Sequence, residues 1–166
     1  MGEIQLNGSI QSRLQNKGLK FSPNDQKKIL HKSLELIDQK FLSDVKLILK
    51  NPIGVDKFLK KRTRVIDEAL SKKFNGYGLS SRYILCAIGG YGREELFPAS
   101  DIDLTIIDQD PKKKPEEELN NFISWLWDQN FKVGHSVRSV SAMQKLARND
   151  LQEYTSLLSI RVLSGS

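Results

Sequence analysis

The chain has 166 residues, 39% of them hydrophobic and 28% charged, with a formal net charge of +6. That composition excludes a disordered or membrane chain, and the length suits one domain of modest size with a real core. No apolar run approaches the roughly 20 residues that span a bilayer.

The start, Met1-Gly2-Glu3-Ile4-Gln5, lacks the basic and apolar regions of a secretory signal. The lone cysteine, Cys86, has no partner for an internal disulfide and reads as a small core hydrophobe. The expected location is cytoplasmic. Charge is spread unevenly: residues 1–75 hold 16 Lys/Arg against 8 Asp/Glu, whereas residues 76–166 hold 10 against 12. The densest patch, Lys57 to Arg64 (KFLKKRTR), reads either as a contact for phosphates or an acidic partner, or as the solvated face of a helix. No aromatic platform is interleaved with the basic residues, so direct nucleic-acid binding ranks last.

Residues 1–22 are polar and without clear period. Ser22-Pro23-Asn24-Asp25 is a helix-start signal. After it Ile29, Leu30, Leu34, Ile37, Phe41, Val45, Ile48 and Leu49 recur at helical spacing, up to a predicted stop near Asn51-Pro52-Ile53-Gly54. A second helical pattern runs through Val55, Phe58, Leu59, Val65, Ile66 and Leu70 and ends around Asn75 to Gly78. We therefore divide the chain into a helical basic leader, 1–75, and a core, 76–166.

In the core, Tyr83 to Ile88 predicts a buried strand that ends on Gly89-Gly90. Tyr91 to Phe97 predicts a short helix, Pro98-Ala99-Ser100 a turn, and Asp101 to Ile107 a second strand. Asp108 to Pro115 is a charged loop. Glu116 to Gln129 is a helix with three glutamates in its first turn, where the dipole favours negative charge. Phe131 to Val140 predicts a third strand, and Ser141 onward a helix to near Leu163. Strands and helices alternating over short connections imply an α/β (α+β) core on a mixed sheet.

The chemistry is carried by two carboxylates. Residues two apart in a strand face the same way, so Asp101 and Asp103 project together while Ile102, Leu104 and Ile106 face apolar packing. Paired carboxylates in an apolar strand repel one another and resist desolvation, and a divalent cation relieves both; the alternative is a pair of exposed strand-end residues. Gly89-Gly90 ends the preceding strand, with ten residues between Gly90 and Asp101, and lets the backbone approach a phosphate. Arg93 either reaches a phosphate with its planar fork or pairs with Glu94 or Glu95. Ser100 either bonds a phosphate or completes the turn.

The stretch Ala87 to Leu104 (AIGGYGREELFPASDIDL) resembles the active-site motif of bacterial [protein-PII] uridylyltransferase/uridylyl-removing enzymes. Trp125 to Arg138 (WLWDQNFKVGHSVR) resembles a second block of that family at the expected distance, and Ala147-Arg148, Asp150 and the Ser156 to Leu163 segment also fit. The resemblance covers about residues 80–163. It implies a polymerase-β-like nucleotidyltransferase core that uses Mg²⁺ to transfer UMP from UTP to a tyrosine of the PII signalling protein. Asp101 and Asp103 would then be the catalytic metal ligands, and Gly89, Gly90, Arg93 and Ser100 the nucleotide-binding residues.

The chain departs from that pattern in three ways. Glu94 stands where the family has glycine or a variable residue. The strand on which polymerase-β-like enzymes commonly place a third carboxylate has none in Val133 to Arg138. His135 there reads equally as a general base, a phosphate contact or a structural residue, and Arg138 is similarly open. No His-Asp dipeptide occurs, and there is no room for ligand-sensing ACT domains, so we expect a core truncated at its C-terminal end and assign it neither UMP removal nor glutamine sensing. Two other readings stay open: a nucleotidyltransferase with another base or acceptor, and a non-catalytic regulatory or protein-binding module of the same fold.

Overall fold

The computed structural model describes residues 30–32, 34–40, 42–43, 50, 52–129 and 131–166. The polar start, the Ser22 to Asp25 signal, and Ile29, Phe41, Val45, Ile48 and Leu49 of the first periodic pattern lie outside the described residues. Residues 30–32, 34–40 and 42–43 are helical, as their spacing predicts. Pro52 opens the next helix, α1 (Pro52–Gly76), where a missing amide costs nothing because first-turn amides have no intrahelical acceptor.

Four strands follow, β1 (Tyr83–Ala87), β2 (Ile102–Asp108), β3 (Val133–Arg138) and β4 (Arg161–Ser164), in the order β3-β2-β1-β4. β1 is antiparallel to both β2 and β4, whereas β2 and β3 run parallel. The mixed sheet expected from the alternation of elements is therefore present. The parallel pair requires a crossover, and α3 (Glu117–Trp127) supplies it. α2 (Gly89–Gly92) lies between β1 and β2, while α4 (Val140–Asn149) and α5 (Leu151–Leu157) lie between β3 and β4.

The main core forms where α1 and α3 meet one sheet face. Ile66, Leu70 and Phe74 sit one helical turn apart on α1, and Leu119, Phe122 and Leu126 line α3; all six join Tyr83, Leu85, Leu104 and Ile106 in one buried cluster. Phe74 and Phe122 meet edge to face, with ring centroids 5.2 Å apart. Leu30 and Leu34 of the preceding helical residues belong to the same cluster. The basic patch divides by helical position: Phe58, Leu59, Arg62 and Thr63 are buried, whereas Lys57, Lys60, Lys61 and Arg64 face solvent. Arg62 is held by Asp38, its Nε donating to Oδ1 at 2.9 Å. The exposed part of this patch is a basic face of α1. Among the described residues, no helix is long and apolar enough to cross a membrane.

A single arginine organises the charged loop. Arg82 donates to both carboxylate oxygens of Asp108 and to the carbonyls of Asp110, Lys113 and Lys114. Desolvation alone would raise the Asp108 carboxyl; the Arg82 hydrogen bonds, the Asp110 amide and the Arg82 charge together outweigh it and hold that carboxyl below its usual range.

Three local expectations change. The helix predicted over Tyr91 to Phe97 is instead one turn, Gly89–Gly92, because Glu94 takes φ 62°, a left-handed value that no helix continues through. The second strand begins at Ile102, so Asp101 sits just before it. The long helix predicted from Ser141 breaks at Asp150, whose extended backbone and carboxylate cap α5 through the Gln152 and Glu153 amides. Its expected last turns are strand β4, since Arg161 to Ser164 find the free edge of β1. Helical and strand readings of so short an apolar run are equivalent until a pairing partner is present.

Candidate active site

β2 presents Asp103, Thr105 and Ile107 on the sheet face opposite the α1–α3 core, while Ile102, Leu104 and Ile106 are buried in that core. The parallel register sets Gly134 beside Asp103, Ser136 beside Thr105 and Arg138 beside Ile107. Thr105 and Ser136 hydroxyls lie 3.1 Å apart. Cys86 pairs with Thr105 on the same face; it is fully buried, and burial pushes its thiol up to about 11, so it is an inert core group.

The Asp103 carboxylate is held between two glycines. Gly89 has φ +60°, and a Cβ on it would stand 3.6 Å from Oδ2; a Cβ on Gly134 would stand 2.7 Å from Oδ1, closer than real Cβ contacts come. The Asp103 carbonyl accepts from the Ile88 amide at 3.1 Å, which ties the end of β1 to the strand bearing the carboxylates. Arg93 lies over the same turn: a Cβ on Gly90 would be 3.9 Å from its Nη2. The arginine Nε donates to Glu95 at 2.8 Å, with both side chains about half exposed, so this ion pair is weak and exchangeable. The Ser100 amide closes a turn on the Phe97 carbonyl at 3.1 Å, directly before Asp101.

Desolvation raises the Asp103 carboxyl above its ordinary value of 3.8, and the neighbouring Asp101 charge raises it further. Asp101 itself is exposed. The two carboxylates thus sense each other, as their spacing predicts, although only one lies within the strand. Among the described residues, no group of three or more His, Cys, Asp or Glu is placed to hold a metal ion. The donors that fit a hard divalent cation are therefore two carboxylates, with phosphate oxygens and water as the usual complement for Mg²⁺.

This electrostatic arrangement has a consequence for pH. The native protein holds a proton on Asp103 at pH values where the unfolded chain has lost it. Its contribution to stability is therefore gained as pH falls through the raised native value and levels off below the ordinary 3.8. We expect the difference in melting temperature between the parent chain and Asp103→Asn, both in chelator, to narrow as pH falls through that window. A difference that stays constant with pH would show that Asp103 carries no such penalty.

His135 falls on the other face. It pairs with Leu104 and meets Trp127 edge to face at 5.6 Å, away from Asp103. Arg138 shares the Asp103 face, but its guanidinium is engaged by both carboxylate oxygens of Glu153, at 2.9 and 3.2 Å. An apolar groove of about 300 Å³ opens near Ile107, lined by Met143, Tyr154, Leu157 and Ile160. It lies four residues along β2 from Asp103, roughly 13 Å at strand rise. Sequence reasoning did not single out Gly134, although it stands within the second motif block; only the β2–β3 register shows that it abuts Asp103.

No family model matches the chain. Curated relatives do. A bifunctional uridylyltransferase/uridylyl-removing enzyme of Pseudoalteromonas translucida is 36% identical over 153 residues, which cover 87% of this chain and 17% of the relative. Enzymes of the same name from Haemophilus influenzae and Acinetobacter baylyi are 34% and 36% identical over 88% and 82% of the chain. The chain spans 17% and 16% of their respective lengths. The resemblance carried by the two motif blocks thus extends along most of this chain: it is a sequence relative of these enzymes and corresponds to one segment of them.

Proposed function

We propose that the chain is a metal-dependent nucleotidyltransferase core that transfers UMP from UTP to a tyrosine of the PII protein. The observation that carries this reading is the seating of Asp103 between Gly89 and Gly134, beside Asp101 and against the Gly89-Gly90 turn. Kinship to proteins named uridylyltransferases supplies the choice of UTP.

In this reading Asp101 and Asp103 hold Mg²⁺, and the bare backbone at Gly89 and Gly90 admits the triphosphate. A cation bound there supplies neutralisation of the triphosphate charge and favours the ionised form of the attacking hydroxyl. Arg93 exchanges Glu95 for a phosphate oxygen, a swap that the exposed pair permits at small cost. Ser100 closes the turn that delivers Asp101. The acceptor tyrosine oxygen forms a bond to the α-phosphorus, the bond from that phosphorus to the β-phosphate oxygen breaks, pyrophosphate leaves, and the phenolic proton passes to solvent.

Calorimetric titration with UTP, ATP, CTP and GTP, each with and without Mg²⁺, tests the reading. Metal-dependent binding that prefers UTP supports it and leads to an assay of labelled UMP transfer to PII. Metal-dependent binding of another base selects a nucleotidyltransferase of different specificity. Absence of binding to all four nucleotides selects a second reading, a non-catalytic binding module of the same fold.

A further inference from the structure

Asp67 lies on α1, in the segment that the sequence sets apart as a leader, 34 residues before Asp101. Its carboxylate receives the Tyr91 hydroxyl at 2.6 Å on Oδ1, and the Arg161 guanidinium on both oxygens, Nη1 to Oδ2 at 2.7 Å and Nη2 to Oδ1 at 3.2 Å. Arg161 in turn donates to the backbone carbonyls of Gly92 and Tyr91, each at 3.2 Å, and lies 5.5 Å from the centre of the Tyr91 ring. Tyr91 is 1% exposed, so its hydroxyl has been taken out of water and depends on this acceptor. Three separate elements, α1, α2 and β4, therefore converge on one carboxylate.

The element they grip cannot orient itself. α2 is a single turn of four residues, three of them glycine, and isolated helical turns are unfavourable in water. Its direction is set by tertiary anchors: the Tyr91 side chain, and the two carbonyls that Arg161 draws to the side of α1. Gly92 adds steric confinement, since a Cβ there would strike the Ser159 carbonyl oxygen. The far end of the same turn is Gly89, in the left-handed region beside the Asp103 carboxylate.

We infer that Asp67 is a positioning residue for the nucleotide site, fixing the Gly89–Gly92 turn through Tyr91 and Arg161 so that the glycine backbone faces the Asp101–Asp103 pair. The inference rests on the nucleotidyltransferase reading above. It assigns to α1 a part in substrate binding without any contact to substrate, and it makes Arg161, on the strand that closes the sheet, a member of the same support.

The test uses the full chain and three variants, Asp67→Asn, Tyr91→Phe and their combination. Mg²⁺-dependent UTP affinity is measured by calorimetry at a temperature where circular dichroism shows every protein folded. Asp67→Asn should weaken binding about tenfold, a loss of about 1.4 kcal/mol, and Tyr91→Phe by a smaller factor, since it removes one oxygen and leaves Arg161 in place. The double variant should be no weaker than Asp67→Asn, because both changes act through one contact. A network that only stabilises the fold would lower the melting temperature and leave the affinity of the folded variants at the parent value, and that result overturns the inference. Additive losses in the double variant also overturn it. Should Asp67→Asn fail to fold, Tyr91→Phe carries the test alone, with unchanged affinity as the overturning result. Failure of the parent chain to bind any triphosphate overturns the underlying reading as well, and is distinguished by appearing before any substitution is made.

Discussion

Converting Asp101 and Asp103 together to asparagine is expected to abolish Mg²⁺-dependent triphosphate binding while leaving the fold intact. Asparagine keeps the shape of each side chain and removes both charges, and a hard dication gains little from two neutral carbonyl oxygens. The loss should reach at least about a hundredfold, each tenfold step being about 1.4 kcal/mol. Stability should move the other way. Burial and the Asp101 charge raise the Asp103 carboxyl, so the ionised pair is a cost to the metal-free fold at neutral pH. In chelator, the double variant should therefore melt no lower than the parent chain, a pattern common to sites that hold charge for function. Calorimetry and thermal melting measure the two effects separately. Unchanged metal-dependent binding would remove these carboxylates from the site.

Gly134→Ala tests geometry with the charge left in place. The added methyl would stand 2.7 Å from Asp103 Oδ1, closer than real Cβ contacts come, so the carboxylate must give way. Either the carboxylate turns out of its seat or β3 shifts, and both displace a metal ligand from its productive position. We expect Mg²⁺-dependent nucleotide affinity to fall about tenfold or more, with little loss of fold stability, because Gly134 is exposed and the crowded atom is the end of a side chain. Parent-like affinity in Gly134→Ala would mean that the seat between the two glycines is not what fixes Asp103. Because this variant keeps both aspartates, its result separates the placement of the charge from its presence.

Much of the molecule is written in local sequence. The apolar run Tyr83 to Ala87, the alternation Asp103, Leu104, Thr105, Ile106, and the spacing Leu119, Phe122, Leu126 each carry their own period, so β1, β2 and α3 were legible without a structure. The same holds for the kinship to uridylyltransferase/uridylyl-removing enzymes, which resides in residue identity and order.

What depends on pairing between distant segments was not legible. Arg161 to Ser164 looks like the end of a helix until the edge of β1 is available to it. His135 and Gly134 are adjacent in sequence, yet the β2–β3 register sends one to Trp127 and sets the other against Asp103. The convergence of Asp67, Tyr91 and Arg161 spans 94 residues of chain and has no local trace. Periodicity reports which way a side chain points from its own element; what it meets there is settled by register and packing, which come from the energy of the whole fold.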